Sequence, residues 1–308
     1  MNDKKKEPLF HIVKRDALPW YQSVGIRAIA IVLALIVCAV VTMILTGTNP
    51  IQVFQSIIAG AFGSARKTWI TFQNIAILLL ISLALTPAFK MKFWNIGGEG
   101  QVLIGGLASA ACMICLAEKL PAALVVVCMI VTSIAAGAFW AFIPAFFKAK
   151  WNTNETLSTL MMNYIATQLV AFFTIVWEVP KGSGKIGIIN QNSNVGWLPQ
   201  AFGSKYLLSI LVAVLITVFM YIYLKYSKHG YEISVVGESE NTAKYVGIKV
   251  EKVIMRTMAL SGAVCGLVGL LLVGGINHTI TTTIAAYRLH KMNRRRQVPR
   301  FTEAMIRR

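Results

Sequence analysis

Residues 93–106 read Phe-Trp-Asn-Ile-Gly-Gly-Glu-Gly-Gln-Val-Leu-Ile-Gly-Gly. A carboxylate, Glu99, stands among Gly97, Gly98, Gly100 and Gly105, with an apolar run on either side. Flexible backbone and a charge therefore lie at or near membrane depth. In lipid, irregular backbone survives only where protein buries it or where it lines a water-filled cavity. An ionisable group there is by default a functional candidate. The stretch points to an all-α, polytopic transmembrane helix bundle and marks the first place to look for a solute path.

The rest of the chain agrees. Of its 308 residues, 56% are apolar and 14% charged, against roughly 25% charged in soluble domains. The apolar residues fall in blocks near the length of about 20 residues that a spanning helix needs. Seven such spans are expected, near 25–46, 70–89, 101–117, 121–147, 157–177, 206–224 and 253–275. Residues 1–24 are polar and basic, and the run that follows is too long for a signal-peptide core, so the first helix reads as uncleaved. Lys90, Lys92, Lys148, Lys150 and the basic loop 225–252 fall on alternate crossings, on the side of the N-terminus. The bias of Lys and Arg toward the cytoplasm makes that side cytoplasmic. The domain reading is a cytoplasmic segment 1–24, a transmembrane domain 25–275 with an inner loop 225–252, and an atypical basic tail 276–308. Pro87 and Pro144 are expected to end or bend helices, and Pro121 to open the fourth span.

Two connections stand out. The outer loop 178–205, with Lys-Gly-Ser-Gly-Lys and Asn-Gln-Asn-Ser-Asn, is rich in turn signals; it reads equally as a cover over the outer face or as a solvated connector. The inner loop contains a helix start at Ser239 and a stop near Gly247.

Some chemistries are excluded. The five cysteines (Cys38, Cys112, Cys115, Cys128, Cys265) all lie in apolar runs, where thiols pack as small hydrophobes. The four histidines are scattered without metal-ligand spacing. No GxxxxGK[ST] loop, HExxH or GxSxG motif is present, so no catalytic residues, metal or cofactor are expected in this chain. The net charge of +18 is concentrated partly in residues 288–308, where eight Lys and Arg face Glu303 alone. Membrane orientation explains the charge better than nucleic-acid binding. The polar resources are Glu99, Glu155 and the amides Gln73, Asn74 and Asn163 inside apolar runs. Such amides serve either as neutral hydrogen-bonding groups for solute or as interhelical links. Gly262, Gly266 and Gly269 favour close helix packing.

Three segments resemble one family. Asn95-Ile-Gly-Gly-Glu-Gly-Gln101 is similar to the NIGxEGQ signature of permease subunits in nucleoside and simple-sugar ABC importers. Asn154-Glu-Thr-Leu-Ser-Thr-Leu-Met-Met-Asn-Tyr-Ile165 resembles their NExxSTLMLNYI stretch. Gly237-Glu-Ser-Glu-Asn-Thr-Ala-Lys-Tyr-Val-Gly-Ile248 resembles their cytoplasmic loop. The resemblance covers about residues 20–286. It implies a bacterial inner-membrane subunit that works with a cytoplasmic ATPase, a second permease subunit and an extracellular substrate-binding lipoprotein, ATP being hydrolysed by the partner. It also implies a translocation path at Asn95, Glu99, Gln101 and Asn163, and an ATPase-coupling loop at Glu238, Asn241, Ala243, Gly247 and Ile248. Lys244 departs from the small residue common there. Glu99 is expected either to hold neighbouring backbone N–H groups or to face solute. Nucleosides are favoured as substrate; a simple sugar is the alternative, and an ion-coupled carrier or intramembrane enzyme the distant one.

The resemblance also implies more chain than is present. The apolar pattern stops at Ala286, and a basic tail outside the membrane would run against the positive-inside bias. Residues from about Tyr287 are accordingly expected to be a truncated or out-of-frame product, which sequencing the coding DNA decides.

Overall fold

The computed structural model describes residues 19–47, 49–200, 204 and 206–283. The expectation for residues from Tyr287 lies outside them. The chain divides into two compact units, residues 1–68 and 69–308.

In the first unit, α1 (Trp20–Thr46) ends where Gly47 turns left-handed at φ +62° and its N–H bonds the Met43 carbonyl. Asn49 then caps α2 (Pro50–Phe62), its side chain accepting from Ile51 N at 3.0 Å, with Pro50 at the first helical position. Pro is pre-organised for that position. The sequence reading left 47–69 as a loop. At 13 residues α2 is too short to span, which is why span counting missed it.

The second unit takes in most of α3 (Ala65–Lys90), then α4 (Gly98–Cys115), α5 (Ala122–Trp151), α6 (Glu155–Val176), α7 (Leu207–Tyr226), α8 (Lys228–Glu238), α9 (Glu240–Tyr245) and α10 (Val250–Leu270). The last helix continues as a π-helix, Leu271–Asn277. Seven helices are long and apolar enough to cross a membrane, and each contains one of the expected apolar runs or most of it. Pro87 and Pro144 lie inside α3 and α5 and stop neither helix. Transmembrane helices tolerate proline because neighbouring groups can satisfy the freed carbonyl.

α4 and α10 are central: 67% of each spanning stretch is buried, against 22% for α5 and for α6 and 17% for α7. Small residues set that arrangement. A Cβ on Gly266 of α10 would strike the Ser133 carbonyl oxygen of α5, and one on Gly105 of α4 would strike Gly266 itself. Only bare backbone lets three helices approach so closely. Leu80, Leu103, Met113, Met129 and Leu272 fill the surrounding core.

A second core lies at the end of the unit that carries α8 and α9. Ala88, Met91, Phe93, Ile233, Val236, Ala243, Ile254 and Met258 pack together there. The loop 178–205 packs onto the bundle for at least part of its length. Ile186 and Ile189 are buried, Asn190 donates to the Met113 carbonyl at 2.7 Å, and Leu198 N bonds the Gly274 carbonyl of the π-helix at 3.0 Å. Trp197 stacks on His278, with ring centroids 3.8 Å apart.

Candidate functional site

α3 stops where Lys92 adopts φ +60° and Phe93 N reaches back to the Ala88 carbonyl at 2.9 Å. Four residues of non-helical chain follow before α4 begins at Gly98. This break needs partners for its backbone groups, because a buried unpaired N–H or C=O is strongly unfavourable.

Side chains supply them. Asn95 Oδ1 accepts from Gly97 N at 3.0 Å, and Thr159 Oγ1 accepts from Ile96 N at 3.3 Å. Asn163 closes a two-way clamp. Its Oδ1 accepts from Gly100 N at 2.8 Å, and its Nδ2 donates to the Ile96 carbonyl at 2.9 Å. Gly100 is required by the approach, since a Cβ there would sit 2.7 Å from Asn163 Oδ1 and 3.1 Å from Asn163 Cα.

Both clamping residues belong to the second motif, and that motif is built for the task. Asn152 turns left-handed at φ +50° to end α5. Asn154 then caps α6, accepting from Thr156 N and Leu157 N. Glu155 in the first turn pairs with Lys148 at 3.0 Å. Thr159 and Asn163 follow at four-residue steps, which places all three side chains on one helix face. The sequence reading found both motifs and missed that each is the other's binding partner. The polar stripe Glu155–Thr159–Asn163 on an apolar helix was the available signal.

Behind the clamp lies a buried polar layer. Asn95 and Gln101 are each 1% exposed, and Thr159 and Ser261 are wholly enclosed. Gln101 Nε2 donates to Asn95 Oδ1 at 3.3 Å, and Asn95 Nδ2 donates to Ser261 Oγ of α10 at 3.4 Å. Three of the four sequence-chosen path residues, Asn95, Gln101 and Asn163, thus meet at one junction of α4, α6 and α10. Gln101 Oε1 is buried with no hydrogen-bond partner among the described residues.

Glu99 stands apart. It is exposed in the first turn of α4 and makes no hydrogen bond or ion pair among the described residues. Holding the backbone falls to Asn95, Thr159 and Asn163. In this fold the Glu99 carboxylate holds no neighbouring backbone group among the described residues. Glu99→Gln and Glu99→Ala should therefore leave the thermal midpoint of the purified protein equal to wild type within about 2 °C, as for substitutions that touch nothing. A drop confined to Glu99→Ala would restore the backbone role.

The inner loop contains two helices where the sequence reading found one. Ser227 caps α8 by accepting from Gly230 N at 3.0 Å. Ser239, extended between the two, caps α9 by accepting from Thr242 N at 3.3 Å. Gly247 follows at φ +82°, a conformation that suits glycine. Glu238, Asn241 and Gly247 are exposed, Ile248 is half-buried, and Ala243 is fully buried and anchors α9. Lys244 points outward, so a long side chain fits where the resembling family has a small one. Tyr245 is 93% exposed and Val246 61%, an apolar tip with no cover among the described residues.

Arg256 joins α10 to α8. Its Nη2 donates to Glu232 Oε2 at 2.8 Å. That hydrogen bond holds the Glu232 carboxyl below its ordinary range, and His229 adds to the effect against the opposing influence of burial. The pair's contribution is therefore complete above the unfolded carboxylate value of about 4.3 and is lost as pH falls through the lower folded value. Arg256→Ala should remove about 1.5–3 kcal/mol, the usual worth of a hydrogen bond to a charged group. Melting curves of wild type and Glu232→Gln between pH 6 and pH 3 provide the check: the difference between them should shrink toward the acid end.

The family model for the permease component of the branched-chain amino acid transport system matches residues 68–287. The chain belongs to this permease family. It is 33% identical over 244 residues to the guanosine ABC transporter permease protein NupP of Bacillus subtilis, covering 78% of this chain and 69% of that protein. It is 28% identical over 256 residues to the nucleoside ABC transporter permease protein NupB of Lactococcus lactis, covering 80% and 70%. It is 26% identical over 272 residues to the glucose ABC transporter permease protein TsgB13 of Haloferax volcanii, covering 85% and 70%. No solved structure matches the chain significantly. The matched region of this permease holds both motifs, the clamp between them and the inner helices α8 and α9.

Proposed function

We propose that this chain, the permease subunit of an ABC importer, forms the translocation path for a nucleoside-type solute. It does so in a bacterial plasma membrane with its N-terminus in the cytoplasm. Family membership carries the transport role. The two nucleoside permeases, at 33% and 28% identity, favour the substrate class over the sugar suggested by the glucose permease at 26%. The amide-rich junction of Asn95, Gln101 and Asn163 suits a neutral solute recognised by hydrogen bonds.

In this reading the chain holds no cofactor. A cytoplasmic ATPase docks on α8 and α9 through Glu238, Asn241 and the apolar tip Tyr245–Val246. A second permease subunit completes the path, and an extracellular lipoprotein delivers solute. The permease would contribute geometry alone: a backbone break whose N–H and carbonyl groups are satisfied by side chains.

Uptake into proteoliposomes containing the assembled importer tests this. Labelled guanosine should accumulate only with hydrolysable ATP, and ionophores should leave accumulation intact. An excess of unlabelled nucleoside should abolish it, while glucose should not. Accumulation driven by an ion gradient without ATP would reject the importer assignment; competition by glucose alone would move the substrate to the sugars.

A further inference from the structure

The geometry points to the turn 90–93 as the link that carries movement of α8 and α9 into the glycine break, an assignment that rests on the coupling role proposed above. Three observations place it there. First, α8 ends against this turn with no space between them. A Cβ on Gly237 would strike the Lys90 carbonyl oxygen and sit 3.3 Å from Met91 Cα. Lys92 Nζ also donates to the Glu238 carbonyl at 3.4 Å.

Second, the turn's side chains are set in the same core as the inner helices. Met91 is 5% exposed and Phe93 3%, packed with Ile233, Val236 and Ala243. A displacement of α9 therefore meets packed atoms in that direction, and close-packed interiors transmit strain. Third, the turn cannot absorb the displacement by flexing freely. Lys92 is held at φ +60°, uncommon for a residue with a side chain, and backbone bonds from Met91, Lys92 and Phe93 return to α3. Two residues beyond Phe93 lies Asn95, which bonds Gly97 N. The route from α9 to the first turn of α4 is thus one contiguous chain of contacts.

The same junction also borders open space, lined by Lys92, Gly237 and Glu238 themselves. A cavity of about 220 Å³ is lined by Met91, Phe93, Lys148, Glu155, Val236 and Ser239, among others. Phe93 lines this space and accepts at its carbonyl from Asn95 N at 3.0 Å, and serves as a positioning residue acting through Asn95.

Hydrogen exchange on the assembled importer, with and without ATP under non-hydrolysing conditions, reads this directly. In wild type, nucleotide should change exchange both in α9 and at the amides of Ile96, Gly97 and Gly100. In Phe93→Ala the change in α9 should persist and that at Ile96, Gly97 and Gly100 should vanish, with uptake per assembled complex about tenfold lower. The milder Phe93→Leu should keep both responses. A wild-type response in α9 with none at the break overturns the link, as does a break response that survives Phe93→Ala. No wild-type response in α9 refutes the coupling role itself, and the link with it.

Discussion

Gly266→Val should yield no folded permease. The added Cβ would collide with the Ser133 carbonyl, 3.0 Å from the Ser133 carbonyl carbon and 3.3 Å from Gly137 Cα. All of these are backbone atoms, so no side chain can rotate away. Overpacking a core usually costs about 1–3 kcal/mol, occasionally more, because some neighbour can yield. Here α10 would have to separate from α5, and Gly105 of α4 is stacked on the same residue. Loss of a monodisperse peak in detergent extracts is the expected readout, together with loss of uptake. Gly25→Ala in α1 serves as the comparison, because nothing lies within 4 Å of its Cβ position and the change favours helix. A normal peak for Gly266→Val would mean that the three helices are not held by this crossing.

Asn163→Leu ranks next. Leucine has similar bulk and suits the membrane, yet it strips partners from Gly100 N and the Ile96 carbonyl together. Gly100 is buried, and its N–H left unpaired costs about 1–3 kcal/mol; the exposed Ile96 carbonyl loses its side-chain partner as well. We expect uptake to fall more than tenfold, with a lower melting midpoint. Asn163→Asp should lie between, since a carboxylate still accepts from Gly100 N but cannot donate to the Ile96 carbonyl. Equal loss in both variants would show that the donor alone matters. Normal uptake in Asn163→Leu would remove the clamp from the working machinery.

The bundle was legible in the sequence because its signal is one-dimensional. Each spanning helix needs its own apolar run, and all seven runs could be counted. The two short helices α2 and α8 escaped, since neither has the length that makes a span conspicuous. The site was half legible. The glycines and Glu99 announced a break, and Asn163 was singled out for its amide. What the chain could not display was pairing in space. Thr159 and Asn163 act on residues more than sixty positions away, and no local pattern encodes that distance. Glu99 illustrates the converse: its charge drew attention, but the backbone that one of its two expected roles would have it hold is satisfied by neutral side chains. Arg256 likewise grips Glu232 of α8, 24 positions away, a pairing no local pattern displays.

The clamp also dictates an order of events during synthesis. Asn163 lies 63 positions after Gly100, so a ribosome delivers the broken segment well before its partner. Until α6 arrives, the Gly100 N–H and the Ile96 carbonyl must stay hydrated. The nascent α3–α4 hairpin therefore waits at the edge of the bilayer or within the insertion machinery. The helix that finally draws it into place is the one that carries the missing amide.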